Sequence, residues 1–98
     1  MAKWLTLWEI DTSRTPTDPK ERVALWSKQI EATQKMLAEG QILDWGIFAG
    51  GSAGYSISEG TEADALKRAM LFSPNVKFEV KPVLTADAVA KLIQSMKG

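Results

Sequence analysis

The stretch Trp45-Gly46-Ile47-Phe48-Ala49-Gly50-Gly51-Ser52-Ala53-Gly54-Tyr55-Ser56-Ile57-Ser58 decides how this chain folds. Two short apolar runs, Trp45 to Ala49 and Gly54 to Ser58, flank Gly50-Gly51-Ser52. Glycines supply positive-φ turn positions at little steric cost, so the stretch reads as a β-hairpin. A strand and a long helix precede it; a helix, a strand and a last helix follow.

Moving outward toward the N-terminus, the hairpin's first strand extends over Gln41 to Ala49, and the helix before it has clear ends. Asp18-Pro19-Lys20-Glu21 places Asp at the N-cap, Pro in the first turn and Glu three residues after the cap, and Gly40 stops the helix after Glu39. At helical spacing Val23, Trp26, Ile30, Thr33 and Leu37 make one stripe, flanked by Leu25, Ala32 and Met36. That arc is wider than a helix resting on a sheet needs, so the flank with Leu25 and Met36 is expected to meet another helix or another subunit. Asp11 to Thr17 reads as a polar loop. Lys3 to Ile10 is the first strand, with Trp4, Thr6, Trp8 and Ile10 on one face and Lys3, Leu5, Leu7 and Glu9 on the other. Both faces carry large apolar groups, so both are expected to be covered.

Toward the C-terminus, Thr61-Glu62-Ala63-Asp64 is a variant capping box opening a second helix, with Ala65, Leu66, Ala69, Met70 and Phe72 on its apolar face. Ser73-Pro74-Asn75 stops it. Val76 to Val83 alternates Val76, Phe78 and Val80 against Lys77, Glu79 and Lys81, and Pro82 suits an edge strand. Thr85 caps a last helix with an arc of Val89, Leu92, Ile93 and Met96.

The order βαββαβ predicts an α+β domain spanning 1–98: a ferredoxin-like four-stranded antiparallel sheet, both helices on one face, with a C-terminal helix added. The uncovered face would be buried by a second copy stacked sheet to sheet, a homodimer taking in the exposed Trp and Leu groups. Alternatively, the third helix folds back over it.

Composition narrows the function. A chain of 98 residues buries only about two thirds of its unfolded surface, so association would help. Twelve basic residues balance twelve acidic ones, which leaves no net field toward nucleic acid or an anionic membrane. With no Cys and no His, thiolate chemistry, disulfides and the commonest general base and metal ligand are all absent, and neither a metal nor a cofactor is implied. No apolar run is long enough to span a bilayer and no signal-peptide pattern opens the chain, so a cytoplasmic location is expected.

The element order, the length, the hairpin from Trp45 to Ile57 and the run Val76-Lys77-Phe78-Glu79-Val80 resemble the dimeric α/β-barrel superfamily, and within it the muconolactone-isomerase-like proteins and related small families of unknown function. The resemblance implies a homodimer whose facing sheets form a barrel, with clefts between sheet and helices that some members use for small aromatic or lactone-like ligands. Several enzymatic members use a His, sometimes with an Asp; this chain has no His.

Trp4, Trp8, Trp26 and Trp45 are candidates for lining an aromatic-ligand pocket, since indole is large, flat and carries one polar N–H; the more ordinary use of such aromatics is core and dimer interface. Tyr55, the sole phenol, is the candidate proton donor or ligand clamp, or else a strand aromatic. Glu79, with Glu9, Asp44 and Lys81, is a strand charge that would do acid–base work in a dry cleft and would form cross-strand ion pairs elsewhere. Gly46 and Gly54 mark a bulge or a close approach. Gly50-Gly51-Ser52 is not a phosphate loop, because it leads strand to strand and not into a helix. Three functions follow: a homodimer binding a small apolar or aromatic ligand in the cleft, a cofactor-independent isomerase or monooxygenase, and a ligand-sensing regulatory module.

Overall fold

β1 (Lys3–Ile10) runs through the interior of the sheet. It pairs antiparallel with β3 (Ala53–Glu59) on one side and β4 (Val76–Val83) on the other; β2 (Asp44–Ile47) pairs antiparallel with β3, giving the order β2-β3-β1-β4. Helices α1 (Pro19–Ala38), α2 (Glu62–Phe72) and α3 (Ala86–Met96) complete an α+β fold. The structure, a computed structural model, describes residues 2–73 and 75–97.

Local chemistry sets the element ends. Asp18 accepts from the Glu21 amide at 3.2 Å with Pro19 in the first turn, and Gly40 leaves α1 at φ 76°. Thr61 and Asp64 form the reciprocal box expected of them: the Asp64 amide donates to the Thr61 hydroxyl at 3.2 Å, and the Thr61 amide to Asp64 Oδ2 at 3.0 Å. Thr85 caps α3, accepting from the Ala88 amide at 3.1 Å. Ser73 closes α2 in extended conformation; the Pro74 part of the expected stop lies outside the described residues. The hairpin forms around Gly51, at φ 80°, whose amide donates to the Phe48 carbonyl at 2.8 Å. β2 is shorter than the expected 41–49. The Gln41 and Ile42 amides donate instead to the Met36 carbonyl, finishing α1, so the strand starts only at Asp44.

Register assigns the two faces. Thr6 lies between Ser56 and Val80, and Trp8 between Gly54 and Phe78, on the face that α1 and α2 cover. Leu5 lies between Ile57 and Lys81, and Leu7 between Tyr55 and Glu79, on the opposite face. This corrects the expectation that a stacked second copy would bury Trp and Leu together: Trp4 and Trp8 are buried beneath the chain's own helices, and only the leucine face is left open. β4 and its Pro82 do occupy a sheet edge, as the sequence predicts.

The helices meet the sheet differently from their sequence patterns. On α1, Thr33 and Met36 are buried, whereas Val23 and Trp26 are 59% and 43% exposed. Of the expected main stripe, Trp26, Ile30 and Thr33 line an opening, and Met36 of the supposed flank turns inward. On α2 the inward line is Ala65, Arg68, Ala69 and Phe72; Leu66 and Met70, assigned to that face from the sequence, are exposed. α3 buries none of its residues, and Met96 is 77% exposed. The molecule measures 62 × 25 × 23 Å with a radius of gyration of 16.3 Å, against about 13 Å for a compact chain of this length.

Candidate functional site

The site begins with a glycine. Gly54 on β3 faces Trp8 on β1, and a Cβ at Gly54 would overlap the indole and the Gly46 carbonyl. Its absence lets the Trp8 ring lie against the backbone, where Nε1 donates to the Tyr55 carbonyl at 3.3 Å. Trp45, on β2, stacks on Trp8 with centroids 5.4 Å apart and planes 12° from parallel, an offset arrangement that aromatic quadrupoles favour. α1 supplies Trp26, whose ring carries the Arg22 guanidinium 5.6 Å from its centroid. Phe72 of α2 meets Phe78 of β4 at 6.3 Å and closes the far side.

These side chains line a half-open cavity of about 390 Å³ between the sheet, α1 and α2. A second depression of about 350 Å³ shares Ile10, Trp26 and Gly51 with it and continues along the loop 12–17. The walls are mostly apolar. Besides the indole N–H groups, their side-chain polar groups are Thr6, Gln29, Thr33, Ser56 and Arg68, of which Thr33 donates to the Gln29 carbonyl of its own helix at 2.9 Å. Arg68 is the one charged residue among the described residues of the wall, and its Nη2 is buried without a hydrogen-bond partner. One turn earlier on α2, the Asp64 carboxylate is taken by the cap. The Thr61 backbone amide, then the Thr61 hydroxyl pairing, hold it below the usual carboxylate range, with smaller help from the charges of Arg68 and Lys67.

Three of the residues nominated from the sequence, Trp8, Trp26 and Trp45, come together in this cavity. Trp4 shares the face but serves the fold: its Nε1 donates to the Gly60 carbonyl at 2.9 Å, tying β1 to the turn before α2. Tyr55 and Glu79 stand on the opposite face of the sheet. Glu79 pairs with Lys81 at 3.4 Å, both exposed, and Glu9 is exposed. Gly46 and Gly54 are close approaches, made by the rings of Tyr55 and Trp8 respectively. Sequence reasoning passed over Arg68. Its signal was spacing, since residues 65, 68, 69 and 72 share a helix face and the second of them is charged.

The Tyr55 hydroxyl donates to Asp44 Oδ2 at 2.9 Å, and that bond, then desolvation, then the negative charge of Asp44, raise the phenol pKa above its ordinary value near 10. The phenol therefore favours the folded state fully below the ordinary tyrosine range, and that contribution fades as pH rises through the folded value. Tyr55 is the chain's only tyrosine, so its tyrosinate absorbance can be titrated directly. Asp44→Asn is expected to shift the midpoint down toward the ordinary value; an unchanged midpoint would mean that the bond does not hold in solution.

No protein-family model matches the chain, and no curated protein matches it significantly.

Proposed function

We propose that this protein binds a small apolar or aromatic molecule in the cleft between sheet and helices, and that it does so as a homodimer. One observation carries the binding reading: tryptophans from β1, β2 and α1 converge on one cavity of about 390 Å³, a size within the roughly 300–1,000 Å³ of small-molecule sites. Its walls are mostly apolar and open to solvent on one side, so a flat apolar molecule entering it would cover surface that is otherwise wet. Acid–base catalysis has less support, since Tyr55 and Glu79 stand on the far face of the sheet and a guanidinium keeps its proton at neutral pH.

The strand order β2-β3-β1-β4, with α1 and α2 on one face, supports a ferredoxin-like reading, and the open face supports the dimeric barrel. Leu5, Leu7, Tyr55 and Ile57 form its half-buried centre. Around them Glu9, Asp44, Glu59 and Glu79 alternate with Lys3, Lys77 and Lys81, a mixed-sign surface that a second copy can meet with opposite charges. The unburied arc of α3 adds apolar surface that a partner would cover.

Native mass spectrometry on gently purified protein tests both halves. The expected species is a dimer carrying a discrete small-molecule mass. Enlarging Ala69 of the wall to Phe is expected to abolish that extra mass while leaving the dimer. Replacing Leu92 and Ile93 of α3 together by Glu is expected to shift dimer toward monomer, with helical circular dichroism retained. A wild-type protein that stays monomeric throughout the micromolar range defeats the dimer, and one that takes up no flat apolar molecule defeats the cleft reading.

A further inference from the structure

We propose that the ligand of this cleft is an aromatic carboxylate, and that Arg68 is the residue that receives its charge; this rests on the reading of the cleft as a ligand site. Arg68 is half-buried, and a cationic N–H withdrawn from water without an acceptor is costly. Here Nη2 of Arg68 is buried and unbonded, and among the described residues no carboxylate lies within ion-pair distance of it. The acidic group nearest along its helix, Asp64, is engaged by Thr61 at the helix cap. The chain itself thus leaves Nη2 of the guanidinium without an acceptor, at a position where α2 forms the wall of the cavity.

An acceptor brought by a ligand resolves this. A carboxylate fits best, because its two oxygens match the guanidinium fork in a planar, charge-assisted pair. The single charge matters as well. The wall carries one cation and otherwise neutral groups, so it balances a monoanion, whereas a doubly charged phosphate would keep an uncompensated charge in apolar surroundings. The rest of the molecule is specified by the opposite wall. The near-parallel Trp8 and Trp45 pair, with Trp26 across from the sheet, presents flat π-surfaces suited to an aromatic body.

Calorimetric titration of the full chain with naphthoate and with its neutral, nearly isosteric amide, naphthamide, tests the proposal. Wild-type protein is expected to bind naphthoate roughly ten- to hundredfold more tightly than naphthamide, the range of a hydrogen-bonded charge pair. Arg68→Met keeps an unbranched apolar stem but removes the charge. It is expected to bring the two affinities together, and to leave the urea midpoint unchanged or higher, because a buried N–H group without an acceptor has gone. A structural arginine would lower that midpoint instead. Arg68→Lys, which keeps charge but not the fork, is expected to retain part of the preference. Equal wild-type affinities overturn the carboxylate proposal and leave the cleft reading standing; failure of both compounds to bind overturns both. A preference that survives in Arg68→Met overturns the role of Arg68. Should that variant not fold, the wild-type comparison and Arg68→Lys decide the matter, the latter against the proposal if it binds naphthoate as tightly as wild type.

Discussion

Trp8→Ala is expected to lower the free energy of unfolding by about 3–5 kcal/mol, the usual cost of truncating a large buried aromatic to Ala. Trp8 is 8% exposed, stacks on Trp45, lies over Gly54 and donates its indole N–H to the Tyr55 carbonyl. Truncation removes all of these at once, and it enlarges a cavity that the surrounding strands cannot close, because β1 is paired on both sides. Urea unfolding followed by circular dichroism measures the effect. A loss below about 1 kcal/mol would show that the ring is a solvent-washed wall and not a structural element of the sheet. Since Trp8 faces the helices and not the open face, the variant's folded fraction is expected to keep the wild-type subunit count. A selective loss of association would instead place Trp8 at the interface and contradict the register described above.

Gly54→Ala is expected to be nearly as damaging, at about 2–3 kcal/mol, the upper part of the range for overpacking. The added methyl would meet the Gly46 carbonyl and the Trp8 ring, and neither is the free end of a flexible side chain. Either β2 shifts from β3 or the indole leaves its seat against the backbone. Combining the two substitutions separates these routes. If ring overlap dominates, the double variant loses less than the sum of the singles by about 1 kcal/mol or more. Strict additivity would assign the cost to the strand backbone, and an undiminished midpoint in Gly54→Ala alone would refute the close approach.

The elements that local chemistry specifies were legible. Asp18-Pro19, Thr61 with Asp64, and Thr85 each cap the helix their residues predict, because a cap involves only atoms within one turn. Val76 to Val83 was recognisable as a strand from its alternation, and Pro82 as an edge residue. The candidate site was half legible. Three of the four tryptophans reach the cavity, but nothing in the spacing of residues 3–10 says which strand face the helices will choose, so the sequence left Trp8 open as pocket wall, core or dimer interface. Leu66 and Met70 of α2 were misassigned because hydrophobicity alone places them inward, whereas the inward face is set by how closely the helix backbone approaches the sheet. Ala65 and Ala69 permit that approach, and it carries Arg68 inward with them.

The sequence by itself determined the order and type of the strands and α-helices, the caps, the hairpin and the lack of His and Cys side chains, since each depends on composition or on residues a few positions apart. Only the tertiary structure decided that Trp8 stacks on Trp45, that Gly54 yields its space to an indole, that Tyr55 turns away toward Asp44, and that one guanidinium nitrogen of Arg68 is buried in an apolar wall without an acceptor. Those facts join residues many positions apart in the chain. Pairing register and helix placement bring them together, and both are set by the packing energy of the whole domain rather than by any local preference.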